Sequence, residues 1–407
     1  MKRSKISVCM MGRNIPWNNH ESRLPNALKS IGDLAHEIIF INTSRPTDAP
    51  NKLSEIAADY GAKVYEHPWT DNYSFHRNQS IKYAGKTDWI WILDCDAEFK
   101  YDPNDLNTIL YDFTQFQAKI GSVAFPTEDI QHGRIALKFN PARCFHRFSS
   151  NKKHPGVKYI RRIHNAPIFK GQIAFYPYIK VVHYGYQMTS EQKRFKHDYM
   201  VDLLHKALKD DSQDYECYFY LNQCHSLVSE YDKSIEYGEE YIKRKQDSNR
   251  FNVSVYFTLF RAYKALGDKS NAARMVHEGI KKDPNDMDLN LALVELGVWT
   301  SNAQLVEKGG ENYIAIRNKM NSGVEDSCVQ NKFLLSDQAP VVSFVLENVA
   351  AAKLQQGIGY LEGLSQYVKS LPADNRGNVI KEMNLILDTI GASELKSIFY
   401  PMVGDVT

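Results

Sequence analysis

The chain has 407 residues, of which 43% are hydrophobic and 24% charged, with a formal net charge of +2. This length predicts two or three domains, and the composition is ordinary for a soluble globular protein with a sizeable core. The six cysteines include no CxxC pair, which argues against a disulfide framework or a zinc site and favours a reducing compartment. Arg13 ends the first apolar run too early for a signal peptide, and no run approaches the ~20 residues that span a bilayer. We therefore expect a cytoplasmic protein without a transmembrane segment.

Strand-like and helix-like segments alternate through the first hundred or so residues. Four segments are typical of strands: KISVCMMG, EIIFINT, KVYEHPW and DWIWILD. The segments between them are typical of helices: SRLPNALKSIG, KLSEIAADYGA and FHRNQSIKYAG. Continuous apolar runs in the strands indicate a parallel sheet covered on both faces. Ligands bind beyond the carboxyl ends of the strands in such sheets, and Asp94 and Asp96 follow the fourth strand at that edge.

Two carboxylates one residue apart at a strand end can share a divalent cation, because hard cations prefer oxygen ligands. A calcium-binding loop starting at Asp94 would need Gly at its sixth position, where the chain has Phe99. A phosphatase-type DxDxT motif would need Thr where the chain has Glu98. Two solvated acids that close a strand remain the structural alternative.

A basic segment runs from Ile130 to Ser190, with 11 Lys and Arg and no Asp or Glu. Such a run is often a solvated face, but aromatic residues are interleaved with its charges. We therefore predict a folded basic surface that faces a polyanion, and Lys152 and Lys153 are the positions at which we would test it.

Beyond about Ser190 the pattern is helical. The tripeptide DKS occurs at 232 and 268, an offset close to the ~34 residues of a tetratricopeptide unit. The segment AYKALGDKSNAARMVHEGIKKDPND also has the residue order of that family, and a third unit over 286–320 is weaker. We predict domains at 1–190, 191–320 and 321–407, the last one helical without recognisable chemistry. Such repeats usually form partner surfaces, and we expect any homodimer to form through them.

The order of elements resembles the family 2 glycosyltransferases of the GT-A fold. The family's strand-end motifs have their counterparts here in MGRN, INTSRPTD and LDCD. The stretch WTDNYSFHRNQSIKYAGKTDWIWILDCDAEF resembles the family's WxxDFSxARN…A…DWIxxxDADE pattern, and YIRRIHNAP and IKVVHYGY are similar to its VHE and HxGY segments. The resemblance covers about residues 5–190. With the repeats, the whole chain resembles the branch that includes peptide S-glycosyltransferases of the sublancin type.

The resemblance implies a Rossmann-like, mostly parallel α/β domain that uses a nucleotide-diphosphate sugar, a UDP-sugar being expected. By the same resemblance, Asp96 binds the metal, Mn²⁺ or Mg²⁺, that bridges the diphosphate, and Asp94 holds the ribose or shares the metal. His183 is the implied distal ligand, and an imidazole favours manganese. The implied donor-binding residues are Asn14, Asn42, Asp48, Arg77 and Asp94.

Two residues depart from the family pattern. Asn42 replaces an Asp that accepts a hydrogen bond from uracil, which leaves the base preference open. Asn165 replaces the VHE glutamate, and an amide cannot act as a general base. In inverting members a carboxylate near this point deprotonates the acceptor, so we predict Asp129 as the base, then Glu128, then His164.

The acceptor class stays open at this stage. A peptide side chain, a saccharide or lipid-linked sugar, and a hydroxymethylated base in viral DNA are all compatible with a macromolecular acceptor. The basic segment fits nucleic acid, since phosphate neutralisation dominates such affinity. The alternative of another class is a catalytically inactive adaptor protein. Asn42 and Asn165 favour that alternative, and the intact DCD and HYGY segments argue against it.

Overall fold

The computed structural model describes residues 3–15, 18, 20–116, 120–131, 133–147, 156–185, 188–245, 252–321, 332–333, 339–355, 365, 367–369, 371, 373–389 and 396. The chain divides into two compact units, Met1–Val228 with Asp326–Leu334 and Ser229–Glu325 with Leu335–Thr407. The first unit is α/β and the second is built of helices, which confirms the predicted fold class. The first unit extends beyond the predicted domain boundary at 190. None of the helices in the described residues has the length and apolar character that crossing a bilayer requires.

The first unit contains the strands of the described residues. They are β1 Ile6–Gly12, β2 Glu37–Asn42, β3 Lys63–Glu66, β4 Trp89–Ile92, β5 Ala97–Lys100, β6 Ile120–Ala124, β7 Thr127–Gln131, β8 Arg134–Phe139, β9 Ala142–His146, β10 Val157–Ile160, β11 Ala166–Phe169, β12 Gln172–Phe175, β13 Lys180–His183 and β14 Lys332–Phe333. Its helices are α1 His20–Ile31, α2 Leu53–Asp59, α3 Tyr73–Tyr83, α4 Leu106–Gln115, α5 Ser190–Asp210 and α6 Glu216–Leu227.

The larger sheet has the strand order β12-β6-β9-β4-β1-β2-β3. Strand β1 pairs in parallel with β2 and β4, and β2 pairs in parallel with β3. Strand β9 runs antiparallel to β4 and to β6. Trp89 and Trp91 of β4 are both fully buried, as expected for a central strand covered on both faces. The carboxyl ends of β1, β2 and β4 therefore share one edge.

A second sheet has the order β14-β8-β7-β13-β5. Strand β13 lies between β7, to which it is parallel, and β5, to which it is antiparallel. In this register His183 lies opposite Asp129 on one side and Ala97 on the other. Because Asp96 directly precedes Ala97, the pairing brings three sequence-predicted residues to one place.

The second unit consists of helices α7 Tyr231–Lys245, α8 Ser254–Ala265, α9 Lys269–Lys282, α10 Met287–Thr300, α11 Ala303–Asn321, α12 Ala339–Gln355 and α13 Ala373–Thr389. The tripeptide DKS at 268 begins α9, where the Asp268 side chain accepts a hydrogen bond from the Asn271 amide and so caps the helix. Gly267 precedes it with a φ of +79°. A Cβ at Gly279 would lie 2.8 Å from Leu289, so this glycine allows α9 and α10 to approach closely.

Candidate active site

Asp94 lies beyond the carboxyl end of β4 and is held by two arginines. Arg77 of α3 donates from Nη2 to Oδ1 at 2.5 Å, and Arg143 of β9 donates from Nη1 to Oδ2 at 2.8 Å. Burial by itself would raise the pKa of Asp94, but the two guanidiniums hold this pKa well below its ordinary value. Both carboxylate oxygens therefore face a cation. Arg77 and Asp94 are both predicted donor-binding residues, and the structure brings them into contact. Arg143 belongs to the basic segment, and no pattern in the sequence indicated its contact with Asp94.

Asp96, His183 and Asp129 form a continuous chain of contacts. His183 Nε2 lies 3.3 Å from Asp96 Oδ1, and His183 Nδ1 lies 2.7 Å from Asp129 Oδ1. Burial would lower the pKa of His183, but the carboxylates of Asp96 and Asp129 raise it to about 10. Burial would likewise raise the pKa of Asp96, and the charge of His183 holds it below its ordinary value. The three side chains thus form one electrostatically coupled group.

Gly185, the glycine of the HYGY segment, packs closely against this group. A Cβ at this position would lie 2.6 Å from Asp96 Oδ2 and 2.7 Å from His183 Nε2. Both distances are far below van der Waals contact, so a side chain here would displace the carboxylate or the imidazole. The lack of a side chain at residue 185 therefore allows the backbone to pass close to both atoms.

His20 and Lys196 belong to the same neighbourhood and were not predicted from the sequence. His20 Nδ1 accepts a hydrogen bond from the Arg13 backbone N–H at 3.2 Å, which leaves the proton of the neutral ring on Nε2. Burial lowers the pKa of His20 although Asp96 and Asp94 act to raise it. Burial also lowers the pKa of Lys196 in α5, against the opposing charge of Asp96. The signal for His20 was its place in the helix that follows β1, whose carboxyl end lies at the binding edge.

Asp48 binds Arg13 through both of its oxygens. Arg13 Nε and Nη2 donate to Asp48 Oδ2 and Oδ1, each at 2.7 Å, and the backbone N–H of Arg45 donates to Oδ2 at 2.8 Å. These bonds, with Arg13 contributing most, lower the pKa of Asp48. Asn14 follows Arg13 and is half-buried. The predicted contacts of Asp48 and Asn14 with a nucleotide stay predictions.

Asn42 ends β2 with its amide group already bonded. Its Nδ2 donates to Ser54 Oγ at 2.9 Å, and its Oδ1 accepts from the Ser44 backbone N–H at 3.0 Å. A carbonyl oxygen has two lone pairs, and the bond from Ser44 uses one of those of Asn42 Oδ1. The contact of Asn42 with a nucleobase stays a prediction.

The three predicted bases occupy different surroundings. Glu128 and Asp129 are neighbours on β7 and therefore point to opposite faces. Glu128 Oε1 accepts from Lys180 Nζ at 3.1 Å, whereas Asp129 contacts His183. The His164 ring stacks on Tyr220 with centroids 3.4 Å apart, and burial lowers the pKa of His164 to about 3. Of the three, Asp129 alone contacts the Asp96–His183 pair.

The cations of the basic segment find acids elsewhere in the chain. Four of them pair with carboxylates outside the segment: Arg143 with Asp94, Arg161 with Asp214, Arg162 with Asp210 and Lys180 with Glu128. These four cations are therefore neutralised within the chain. Lys152 and Lys153 lie outside the described residues. The polyanionic partner stays a prediction.

Comparisons with known proteins agree with this architecture. Residues 15–156 match the family model described as Glycosyl transferase family 2. A TPR repeat-containing protein of Synechococcus elongatus is 24% identical over 328 residues, which cover 76% of this chain and 72% of that protein. A solved structure of MamA has 16% identity and a TM-score of 0.32, covering 53% of this chain and 99% of its own. YrrB, described as a TPR protein with an unusual peptide-binding site, has 12% identity and a TM-score of 0.32, covering 49% of this chain and 89% of its own.

The family match covers about a third of the chain and ends before His183. It includes Asp94, Asp96 and Asp129. The resemblance to the sublancin-type branch stays a prediction. The family match supports a glycosyl transferase family 2 domain in the N-terminal part of the chain, and the second unit is built of helices.

Proposed function

We propose that this protein is a metal-dependent, inverting glycosyltransferase that moves a sugar from a nucleotide-diphosphate sugar to a macromolecular acceptor. The observation that carries the proposal is the approach of Asp96 to His183, against which Gly185 packs without a side chain. This pair lies at the edge of the sheet where ligands of α/β proteins bind. The match of residues 15–156 to family 2 supports the reaction class.

The residues present fit a divalent metal ion. Two ligand atoms about 2.1 Å from one ion and at a right angle are about 3 Å apart, and Asp96 Oδ1 and His183 Nε2 are separated by 3.3 Å. A set of one carboxylate oxygen and one imidazole nitrogen suits Mn²⁺ better than Mg²⁺. We therefore propose Asp96 and His183 as the metal ligands, with manganese as the preferred ion.

The arginines around Asp94 provide fixed positive charge for the donor diphosphate. Without a metal ion, the carboxylates of Asp94, Asp96 and Asp129 are balanced by the guanidiniums of Arg77 and Arg143 and by protonated His183. A metal ion bound at His183 Nε2 would take the place of the proton on that nitrogen. A bound divalent ion supplies charge that stabilises the departing nucleotide diphosphate. Because Asp94 holds both arginines in place, they need no reorganisation as negative charge develops on the leaving group.

The donor base and the acceptor follow from weaker observations. Asn42 retains one acceptor lone pair for a nucleobase, and we keep uridine as the first donor to test. The repeats make a peptide or another polymer the natural acceptor class, since such helical arrays form extended binding surfaces. Nucleic acid ranks lower than the sequence suggested, because four cations of the basic segment pair with carboxylates within the chain.

The proposal is tested by donor hydrolysis over a panel of sugar nucleotides with Mn²⁺, Mg²⁺ or excess chelator. We expect turnover with at least one donor, strongest with Mn²⁺, and none in chelator. Asp96→Ala and His183→Ala are expected to abolish turnover while the unfolding transition stays cooperative. Asp112→Asn, which alters a carboxylate bonded to Tyr176 away from the site, serves as the matched control and keeps full turnover.

Two results would refute the proposal. Turnover that persists in excess chelator would remove the metal from the mechanism. Absence of binding and turnover with every donor, in a folded protein, would favour the inactive adaptor.

A further inference from the structure

We infer that Asp129 is a positioning residue that holds His183 with Nε2 directed at Asp96, and that it is not the base that deprotonates the acceptor. This inference rests on the proposed function, because it treats His183 as a metal ligand. It replaces the role that the sequence predicted for Asp129.

The backbone fixes the contact between Asp129 and His183 from both sides. The two residues lie opposite each other in the parallel pairing of β7 with β13. Their side chains therefore share a face of the sheet, and Asp129 Oδ1 accepts the hydrogen bond from His183 Nδ1 at 2.7 Å. Neither strand can shift by one residue without turning one of the side chains to the other face.

This contact sets which nitrogen of His183 is available. With Nδ1 donating to Asp129, the ring must present Nε2 toward Asp96, 3.3 Å away. Imidazole ligands of metals commonly donate their second N–H to a carboxylate, which fixes the ring and makes the ligand nitrogen more basic. Asp129 supplies that second bond here.

Burial argues against Asp129 as the base. Its side chain is 3% exposed, whereas the side chains of Asp96 and His183 are 15% and 19% exposed. A base must come within roughly 2.6–3.2 Å of the proton that it removes. An acceptor group approaching from solvent reaches Asp96 and His183 before it reaches a carboxylate placed behind the imidazole.

The test compares Asp129→Asn with Asp129→Leu. Asparagine keeps an oxygen that accepts from Nδ1, and leucine of similar size removes it. Mn²⁺ affinity is measured by calorimetry without donor, and kcat with the sugar nucleotide found active. Asp112→Asn is the matched control for replacing a bonded carboxylate.

We expect Asp129→Leu to weaken Mn²⁺ binding by about 10–100-fold and Asp129→Asn to restore most of that loss, with kcat following the metal affinity. A kcat that falls by about 10²–10⁴-fold in Asp129→Asn, with Mn²⁺ affinity unchanged, would show that Asp129 is the base and overturn the inference. In a His183→Ala background, Asp129→Leu should cause no further loss of Mn²⁺ affinity, because it acts through the ring. An equal further loss in that background would also overturn it.

A readout in the metal-free protein separates this inference from the proposed function. The Nδ1–H proton of His183, assigned by its loss in His183→Gln, should be visible by NMR in the unsubstituted protein and in Asp129→Asn but not in Asp129→Leu. If no divalent ion binds the unsubstituted protein, the proposed function fails while this signal still decides whether Asp129 positions the ring. A signal that persists in Asp129→Leu would overturn the inference. If Asp129→Leu does not fold, Asp129→Ser takes its place in both measurements.

Discussion

The N-terminal unit and the helical unit each bring two carboxylates together, in opposite electrostatic surroundings. Asp94 and Asp96 lie among Arg77, Arg143 and His183, and the pKa of each carboxylate is lowered. In the helical unit, Glu347 of α12 is bonded to Glu382 of α13 beside a cleft of about 410 Å³. Burial and the negative charge of Glu382 raise the pKa of Glu347 to about 7.

The difference shows that proximity of acids does not by itself indicate a cation site. Asp94 is ionised because residues 17 and 49 positions away in the sequence bring guanidiniums to it. Glu347 instead stays protonated up to near neutral pH, because burial and the charge of Glu382 raise its pKa to about 7. The surroundings of Asp94 and Asp96 stabilise their ionised forms. The surroundings of Glu347 destabilise its ionised form, so ionisation there lowers the stability of the fold.

Gly185→Ala places a methyl group against Asp96 and His183, and we expect the largest effect here. The new methyl group must displace Asp96 or His183, and a shift of about 1 Å at a reacting group can lower the rate about 10²-fold. Donor turnover and Mn²⁺ affinity should both fall. Gly377→Ala in α13, where a Cβ meets no atom within 4 Å, is the control and should change neither. Normal Mn²⁺ binding by Gly185→Ala would contradict the assignment of Asp96 and His183 as the metal ligands.

Asp94→Asn tests how much the ion pairs of Asp94 with Arg77 and Arg143 stabilise the fold. Removing the charge leaves Arg77 and Arg143, both largely buried, facing a neutral amide. Breaking one side of a buried ion pair typically costs about 3 kcal/mol, so the free energy of unfolding in urea should fall by about that amount. Asp96→Asn should cost less, since His183 keeps its bond to Asp129. Equal losses of unfolding free energy in the two variants would show that the second arginine on Asp94 adds nothing to the stability of the fold.

Glu347→Gln tests the carboxylate pair of the helical unit, and we expect the smallest effect on stability here. The pKa of Glu347 is raised in the folded protein, so the protonated form contributes stability that is complete below about pH 4.5 and is lost as pH rises through 7. Glutamine imitates the protonated form at every pH. Because both carboxyl groups are partly exposed, we expect a gain of only about 1 kcal/mol at pH 8 and none at pH 4.

Thermal unfolding at pH 4 and pH 8 measures this effect. Glu295→Gln, which breaks an ion pair with Lys264 in the same unit, should show no gain at pH 8. A gain in Glu347→Gln that is equal at both pH values would rule out titration as its cause.

Much of the first unit could be predicted because its signals are local. Continuous apolar runs identified the strands, and Asp94 and Asp96 directly follow β4. His183 was recognised from its HYGY segment and ends β13. The roles of these residues toward donor and metal remain predictions.

Contacts between distant segments could not be read in the same way. Asp129 and His183 are 54 residues apart, and their contact depends on the pairing of β7 with β13. Arg143 was counted as part of a basic surface because its partner Asp94 lies outside that segment. The helical pattern after Ser190 suggested repeats, yet α5 belongs to the first unit and Lys206 pairs with Asp71 there. Periodicity shows that a segment is helical but not which unit it joins.

The pairing of β7 with β8 becomes irregular directly after Asp129. Such a bulge absorbs an extra residue locally, so the hairpin tip is decoupled from the strand pairing that holds Asp129 against His183. The turn contains Gly133, with a φ of +73° and no atom near the position of a Cβ. Insertions at this turn can therefore lengthen the loop, in evolution or by design, while the imidazole and its carboxylate stay in register.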